Sequence, residues 1–161
     1  MAIIAYTDGS SLGNPGPGGY GTILLETEHK IKKEFSQGYR LTTNNRMELT
    51  AVIIALEKLK KLKSEITIYT DSKYVCDAVE KKWVFGWEKK AFKGKKNEDL
   101  WRRFLVLYRL HKVSFQWVKG HAGNEFNERA DVLAVAAANS SNLLVDAGFE
   151  QQTSKDEGSL F

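Results

Sequence analysis

Residues 16–21 read GPGGYG, a few positions after Ile3–Asp8, IIAYTD. The first stretch fits the dinucleotide-binding pattern G-x-G-x-x-G letter for letter, and the second has the apolar make-up of a buried strand. That pattern holds a pyrophosphate only where a helix opens at the glycines. Here Gly21–Phe35, GTILLETEHKIKKEF, is rich in strand-forming residues, alternates in part and contains a Thr-Glu-His turn, which together read as a hairpin. Pro15 and Pro17 interleave with the glycines and suit a rigid, irregular turn. The glycines are therefore expected to turn the chain after its first strand rather than to cradle a cofactor. The residue of chemical interest is Asp8, just before them.

Outward from this point the order of elements is βββαβα(α)βα. Ala2–Asp8, Tyr20–Thr27 and Lys30–Tyr39 read as an antiparallel meander. Thr42–Leu62 carries Leu49, Val52, Ile53, Leu56, Leu59 and Leu62 at helical spacing and is apolar all round from Ala51 to Leu56, so it is expected to lie flat on a sheet. Strands follow at Glu65–Ser72 and Val113–Val118, and helices at Ser72–Lys82, Glu98–His111 and Asn124–Ser140. The fold class is α/β, a five-stranded mixed sheet with helices on both faces. At 161 residues the chain has the size of one domain, assigned to residues 1–150. Residues 151–161, QQTSKDEGSLF, are polar and expected to be unordered.

Composition narrows the function. No apolar run approaches the roughly 20 residues of a membrane span, and MAIIAYTDGS lacks the basic region of a signal peptide. The single cysteine, Cys76, excludes an internal disulfide and points to a reducing, cytoplasmic setting. Net charge is +4, yet residues 140–161 carry −3 and residues 1–139 therefore +7. Seven lysines fall between Lys81 and Lys96, a distribution that favours a polyanionic partner. Trp83 and Trp87 in that segment are spaced to pack on each other and on Trp101.

Two aspartates close strands in matching contexts, Asp8 in YTDGS and Asp71 in YTDSK. Strand ends of this kind form the ligand-binding edge of open α/β sheets. Asp71 also has the look of a helix N-cap, and Asn45-x-x-Glu48 that of a capping box. Glu48, however, enters the buried part of its helix, where a carboxylate needs a partner. Asp131 sits beside Ala130 early in the last helix, and His121 lies in the glycine-bounded loop KGHAG. His29 and His111 have no ligand spacing around them. Taken jointly, Asp8, Glu48, Asp71 and Asp131 make an all-oxygen set suited to magnesium or manganese. Such sites commonly hold two ions about 4 Å apart and drive in-line phosphoryl displacement.

TDGSSLGNPGPGGYG, TTNNRMEL, YTDSKYV, NEDLW, VKGHAG and NERAD occur in the order and approximate spacing of bacterial ribonuclease HI, which the chain resembles from about Ile4 to Glu150. The resemblance implies a ribonuclease H-like fold and hydrolysis of the RNA strand of RNA–DNA hybrid duplexes with two magnesium ions, manganese being able to substitute, to leave 5′-phosphate and 3′-hydroxyl ends. It implies that Asp8 bridges both ions, that Asp131 helps hold the ion activating water, and that Glu48 and Asp71 hold the other. His121 matches a mobile histidine that assists proton transfer or product departure. Asn14, Asn44 and Asn45 match residues that sense the 2′-hydroxyl, the mark that separates RNA from DNA. Thr43 and Asn97 match a pocket for a DNA-strand phosphate. Lys89, Lys90, Lys93, Lys95 and Lys96 fall in a basic protrusion that grips the hybrid. A monomer without an obligate protein partner or membrane attachment is implied. The chain departs from the pattern at Leu41, where an arginine is common, at Lys73, where glutamine is common, and in a shorter segment between Trp83 and Trp101. DNA-cutting enzymes of the same fold and a non-catalytic hybrid-binding module are the competing readings; the first lacks TTNNRMEL and the second predicts a lost acid.

Overall fold

The computed structural model describes residues 2–120 and 123–158. Twelve elements run in the order β1 (Ala2–Ser11), β2 (Gly16–Glu26), β3 (Ile31–Thr42), α1 (Asn44–Glu57), β4 (Glu65–Thr70), α2 (Lys73–Glu80), α3 (Trp83–Lys89), α4 (Glu98–Tyr108), β5 (Lys112–Trp117), α5 (Glu125–Ala138), β6 (Leu143–Leu144) and α6 (Ala147–Gly158). One sheet has the strand order β5-β4-β1-β2-β3-β6. β1, β2 and β3 are the expected antiparallel meander, while β4 pairs parallel to β1, β5 parallel to β4 and β6 parallel to β3. The sheet is mixed as anticipated, with the two-residue β6 added to the five expected strands.

Helix α1 is buried along ten of its fourteen residues, which follows from the apolar run Ala51–Leu56. It packs on one face of the sheet, where the Thr22 hydroxyl donates to the Ala51 carbonyl at 2.8 Å. α1 ends at Glu57, short of the expected Leu62. Beyond it Leu59 still packs against the core, but Leu62 is 72% exposed.

The glycines are not a turn. Gly16–Gly21 belong to β2, with a bulge between Gly16 and Gly18, and the turn lies upstream in residues 12–15. Their reason is the opposite helix. A Cβ on Gly19 would stand 2.7 Å from both the Ala134 carbonyl oxygen and the Ala138 nitrogen, and one on Gly21 would stand 2.8 Å from Leu133 Cβ and closer still to the Ala130 carbonyl. Gly38 on β3 meets the Ala137 carbonyl in the same way. Glycines on the sheet and buried alanines on α5 (Ala130, Ala134, Ala137 and Ala138) let the helix backbone settle directly on the strands.

The segment after Glu150 continues as helix to Gly158 instead of lying unordered. Its start is fixed from outside. Asp146 accepts from the Phe149 nitrogen at 3.3 Å and is itself held by Thr42 Oγ1 at 2.7 Å and by Arg46. Arg40 adds a bidentate pair with Glu150. Arg46, only 1% exposed, spends all five guanidinium N–H donors: Nε and Nη2 on Asp146, Nη1 and Nη2 on Asp99, and Nη1 on Asn97 Oδ1. It ties the start of α1 to the start of α4 and to the entry of α6. Cys76 is buried, and no helix among the described residues is long and apolar enough to cross a membrane.

Candidate active site

Parallel pairing of β1 and β4 ends with Thr7 opposite Thr70. Asp8 and Asp71 are the next residue on each strand, so they stand side by side at one level of the sheet. Asp8 does not close its strand, since β1 continues to Ser11 against β2 alone. Neither acid of the fourth strand and first helix acts as a cap. Ser72 is the N-cap of α2, accepting from the Val75 nitrogen, and Thr43 is the N-cap of α1, accepting from the Arg46 nitrogen. Both carboxylates are thereby left for the site.

Glu48 reaches the two aspartates from α1 because residue 9 is glycine. A Cβ there would lie 2.9 Å from Glu48 Cα and collide with the Met47–Glu48 peptide. The Gly9 N–H is shared between Asp8 Oδ1 at 2.9 Å and Glu48 Oε1 at 2.8 Å. Oxygens of Asp8, Glu48 and Asp71 lie within 4.8 Å of one another. Asp131, half-buried on α5, comes against Asp8 from the other face, and all four acids line one open cleft with Asn44, Asn45 and Lys73. Gly120 passes so close that a Cβ on it would stand 2.8 Å from Asp71 Oδ2.

Electrostatically the cluster is frustrated. Burial, assisted by the charges of Asp71 and Asp131 against the opposing hydrogen bond to Glu48, raises Asp8 to about 7. Burial, followed by the Asp8 carboxylate, pushes Glu48 well above the usual carboxylate range. Glu48 Oε2 is buried and receives no hydrogen bond. A buried lone-pair atom, three carboxylates within reach of one ion and a fourth beside them fit a hard divalent cation, which coordinates oxygen and would favour the ionised forms of Asp8 and Glu48. The acids, not the histidines, are the candidate ligands at this cleft.

The chain matches the profile of the RNase H family over residues 1–139. It belongs to the ribonuclease H family. Among its relatives, the Ribonuclease H of Syntrophus aciditrophicus (strain SB) is 51% identical over 152 residues, covering 91% of this chain and 86% of that one. The Ribonuclease HI of Synechocystis sp. (strain ATCC 27184 / PCC 6803 / Kazusa) is 48% identical over 153 residues, covering 92% and 94%. Among solved structures, LC9-RNase H1, described as a type 1 RNase H with the type 2 active-site motif, superposes with a TM-score of 0.76 at 34% identity, covering 94% of this chain and 80% of that protein. LC11-RNase H1 in complex with RNA/DNA hybrid superposes with a TM-score of 0.64 at 26% identity, covering 85% and 96%. The ribonuclease H-like fold expected from the motifs is the fold observed.

The remaining expected residues fall in two groups. Asn14 accepts from the Asn44 nitrogen at 3.1 Å, which pins the loop after β1 to the start of α1. Asn44 and Asn45 are exposed at the cleft edge. Asn45 also lines a neighbouring cavity of about 250 Å³ shared by Asn14, Thr43, Lys96 and Asn97, whose far wall is Phe149, Gln152 and Thr153 of α6. Asn97 is held there by Arg46 and by its own bond to the Tyr74 hydroxyl at 3.0 Å. Lys89, Lys90, Lys93, Lys95 and Lys96 are exposed on and after α3. Trp87 packs edge-on against Trp101 at 5.8 Å, as its spacing implied. Trp83 is instead 48% exposed, with Lys81 Nζ 5.3 Å from its ring centre. His121 lies outside the described residues.

Three contributors were not singled out from the sequence as parts of a site: Arg46, the α6 wall and Trp117, whose indole Nε1 donates to the Asp71 carbonyl oxygen at 3.1 Å. Arg46 sits within NNRMEL beside the acid that drew notice, but its partners are 53 and 100 residues away. No local pattern could announce it.

Proposed function

We propose that this chain is an endoribonuclease that hydrolyses the RNA strand of RNA–DNA hybrids, with residues 1–150 as its catalytic domain. The observation that carries the reading is the convergence of Asp8, Glu48 and Asp71 on one point, with Asp131 beside it, in a member of the ribonuclease H family. In this reading Asp8, Glu48, Asp71 and Asp131 would hold two magnesium ions. When bound, the ions supply Lewis acidity: a lowered pKa for attacking water and charge neutralisation for the displaced oxygens.

The chain's own groups do the rest. The cleft is open on the side of Asn44 and Asn45, whose amides are of the right chemistry to bond a 2′-hydroxyl. Asn14 holds that edge in place. Thr43, Asn97 and Lys96 line a polar recess fit for a backbone phosphate of the uncut strand, because amides, hydroxyls and ammonium groups bind phosphate without reading bases. The exposed lysines from Lys89 to Lys96 supply sequence-independent attraction. His121, one residue beyond Gly120, is the candidate for proton transfer or product departure. Products bear 5′-phosphate and 3′-hydroxyl ends, the enzyme acts as a monomer, and its setting is the cytoplasm.

The test is end-labelled RNA–DNA hybrid, duplex RNA and duplex DNA of one sequence, each with and without magnesium. Cutting of the RNA in the hybrid alone, and only with the ion, is expected. Asp71→Asn should abolish turnover while leaving hybrid binding intact. Hybrid binding without cutting in magnesium or manganese would favour the binding-module reading, and cutting of duplex DNA would overturn the substrate.

A further inference from the structure

Helix α6 walls the recess at Asn97 and has no task in the scheme above. Its Phe149, Gln152 and Thr153 face Thr43, Lys96 and Asn97 across that recess. The wall is fixed in place. Besides the ties of Asp146 and Glu150, Gly148 lies so near the Arg46–Asp99 ion pair that a Cβ on it would strike Asp99 Oδ2 and stand 2.8 Å from Arg46 Nη2. A residue without a side chain lets the first turn of α6 seat directly on the arginine network. Gln152, four residues on, falls on the same side of the helix.

The recess is short of positive charge for a phosphate. Among the described residues that line it, only Lys96 is charged. Two arginines adjoin α6, and both are engaged within the protein. Arg46 has its five donors bonded to Asp146, Asp99 and Asn97, and Arg40 is turned to Glu150 in a bidentate pair at 3.0 and 2.9 Å. A phosphate in the recess must therefore be met mostly by neutral donors, as amides and hydroxyls commonly do. α6 offers one. Thr153 gives its hydroxyl proton to the Phe149 carbonyl at 3.0 Å, and Phe149 presents a ring with no donor. Gln152 is exposed at the recess, and its side-chain amide carries two N–H groups.

We propose that Gln152 is a substrate-binding residue: its amide donates to a backbone phosphate of the uncut DNA strand seated in the recess, with Lys96 supplying the charge and the docking of α6 fixing where the donor stands. The proposal rests on the function given above. It makes α6 a working part of the substrate site rather than a trailing segment. The contact has a signature of its own. An uncharged amide displaces no counterion, so its loss weakens binding without altering the slope of log affinity against log salt, whereas each added cation that meets a phosphate changes that slope by close to one.

The experiment measures hybrid Kd by fluorescence anisotropy in chelator and KM for cleavage in magnesium, each across a salt series. Gln152→Leu should raise both roughly threefold to tenfold and leave the salt slope and the Tm as in wild type. Gln152→Lys should steepen the slope by about one. Gln151→Lys makes the same change at an exposed neighbour outside the recess lining and should steepen it much less. A single uncharged methylphosphonate, moved stepwise along the DNA strand, then locates the partner: at one position the added slope of Gln152→Lys should disappear. An unchanged Kd in Gln152→Leu overturns the contact, as does equal steepening in the two lysine variants. An added slope that survives every methylphosphonate in the DNA strand also overturns it. A raised Kd that comes with a lower Tm assigns Gln152 to the support of α6 and refutes the proposal too. A wild-type protein that binds hybrid without cutting it would refute the proposed function instead, and the Kd series in chelator would still read the Gln152 contact.

Discussion

Gly21→Ala adds one methyl group at the point where β2 meets α5. The new Cβ would lie 2.8 Å from Leu133 Cβ and 3.0 Å from the Ala134 nitrogen, with the Ala130 carbonyl nearer still. Ordinary carbon contacts need about 3.5–4.0 Å, so the helix must retreat by about 1 Å. The obstacle is mostly backbone, which cannot rotate aside, so the cost belongs at the upper end of the ~1–3 kcal/mol seen for overpacked cores. For a protein of this size that corresponds to a Tm lower by roughly 6–12 °C. A second effect is separable from the first. Gly21 is the cross-strand partner of Asp8, and the carbonyl it strikes belongs to the residue before Asp131. Retreat of α5 therefore draws Asp131 away from Asp8, and a displacement of about 1 Å in a catalytic group costs on the order of 100-fold in rate. The assay pairs thermal unfolding with single-turnover hybrid cleavage measured well below the variant's Tm. Gly86→Ala is the control: it lies in α3 with nothing within 4 Å of its added methyl, and it should be neutral or slightly stabilising. If Gly21→Ala melts within a degree of wild type and cuts at the same rate, the glycines do not set the position of α5.

Arg46→Lys keeps the charge but cannot reproduce a five-donor fork. It should destabilise the protein by about 3–5 kcal/mol, read by urea unfolding; a loss below about 1 kcal/mol would refute the network's structural weight. Changing Lys89, Lys90, Lys93, Lys95 and Lys96 together to Ala should raise KM and flatten its salt dependence, and a KM that does not move would remove the segment from the substrate path. In chelator, folded Asp8 keeps its proton to about pH 7 while the unfolded chain releases it near 3.8. The contribution of this group to stability therefore falls as pH rises from about 4 to about 7. Thermal unfolding of the ion-free protein should decline across that window, less steeply in Asp8→Asn, and a wild-type profile that rises there would count against a protonated cluster.

The site was more legible than its supports. Asp8 and Asp71 could be paired because matching strand contexts and a parallel sheet bring strand ends to one level, a rule that needs only local pattern and topology. Glu48 and Asp131 were found through the oddity of acids next to apolar residues, although capping readings stood open for Glu48 and Asp71 and only the roles of Thr43 and Ser72 remove them. The glycines were misread because G-x-G-x-x-G was weighed against its immediate neighbours. Their partner is an alanine-rich helix more than a hundred residues downstream, and close approach between distant segments leaves no local periodicity. α6 was missed for a related reason: its residues have little helical amphipathicity of their own, and its first turn is organised by Asp146, Thr42 and Arg46. Trp117 read only as a strand residue, because the bond from its indole depends on where β4 stops.

Arg46 has a bearing on how the protein is made. Its carboxylate partners lie 53 and 100 residues further along the chain. During synthesis at about 5–20 residues per second, roughly 5–20 s separate the appearance of the guanidinium from that of Asp146. Over that interval the meander and α1 can assemble around their apolar core, but the arginine at the head of α1 holds an incomplete set of partners. Joining α1 to α4 and α6 must wait for the last of them. The recess at Thr43 and Asn97 is thus finished late, with α6 as its closing wall, after the strands that carry the acids have already formed.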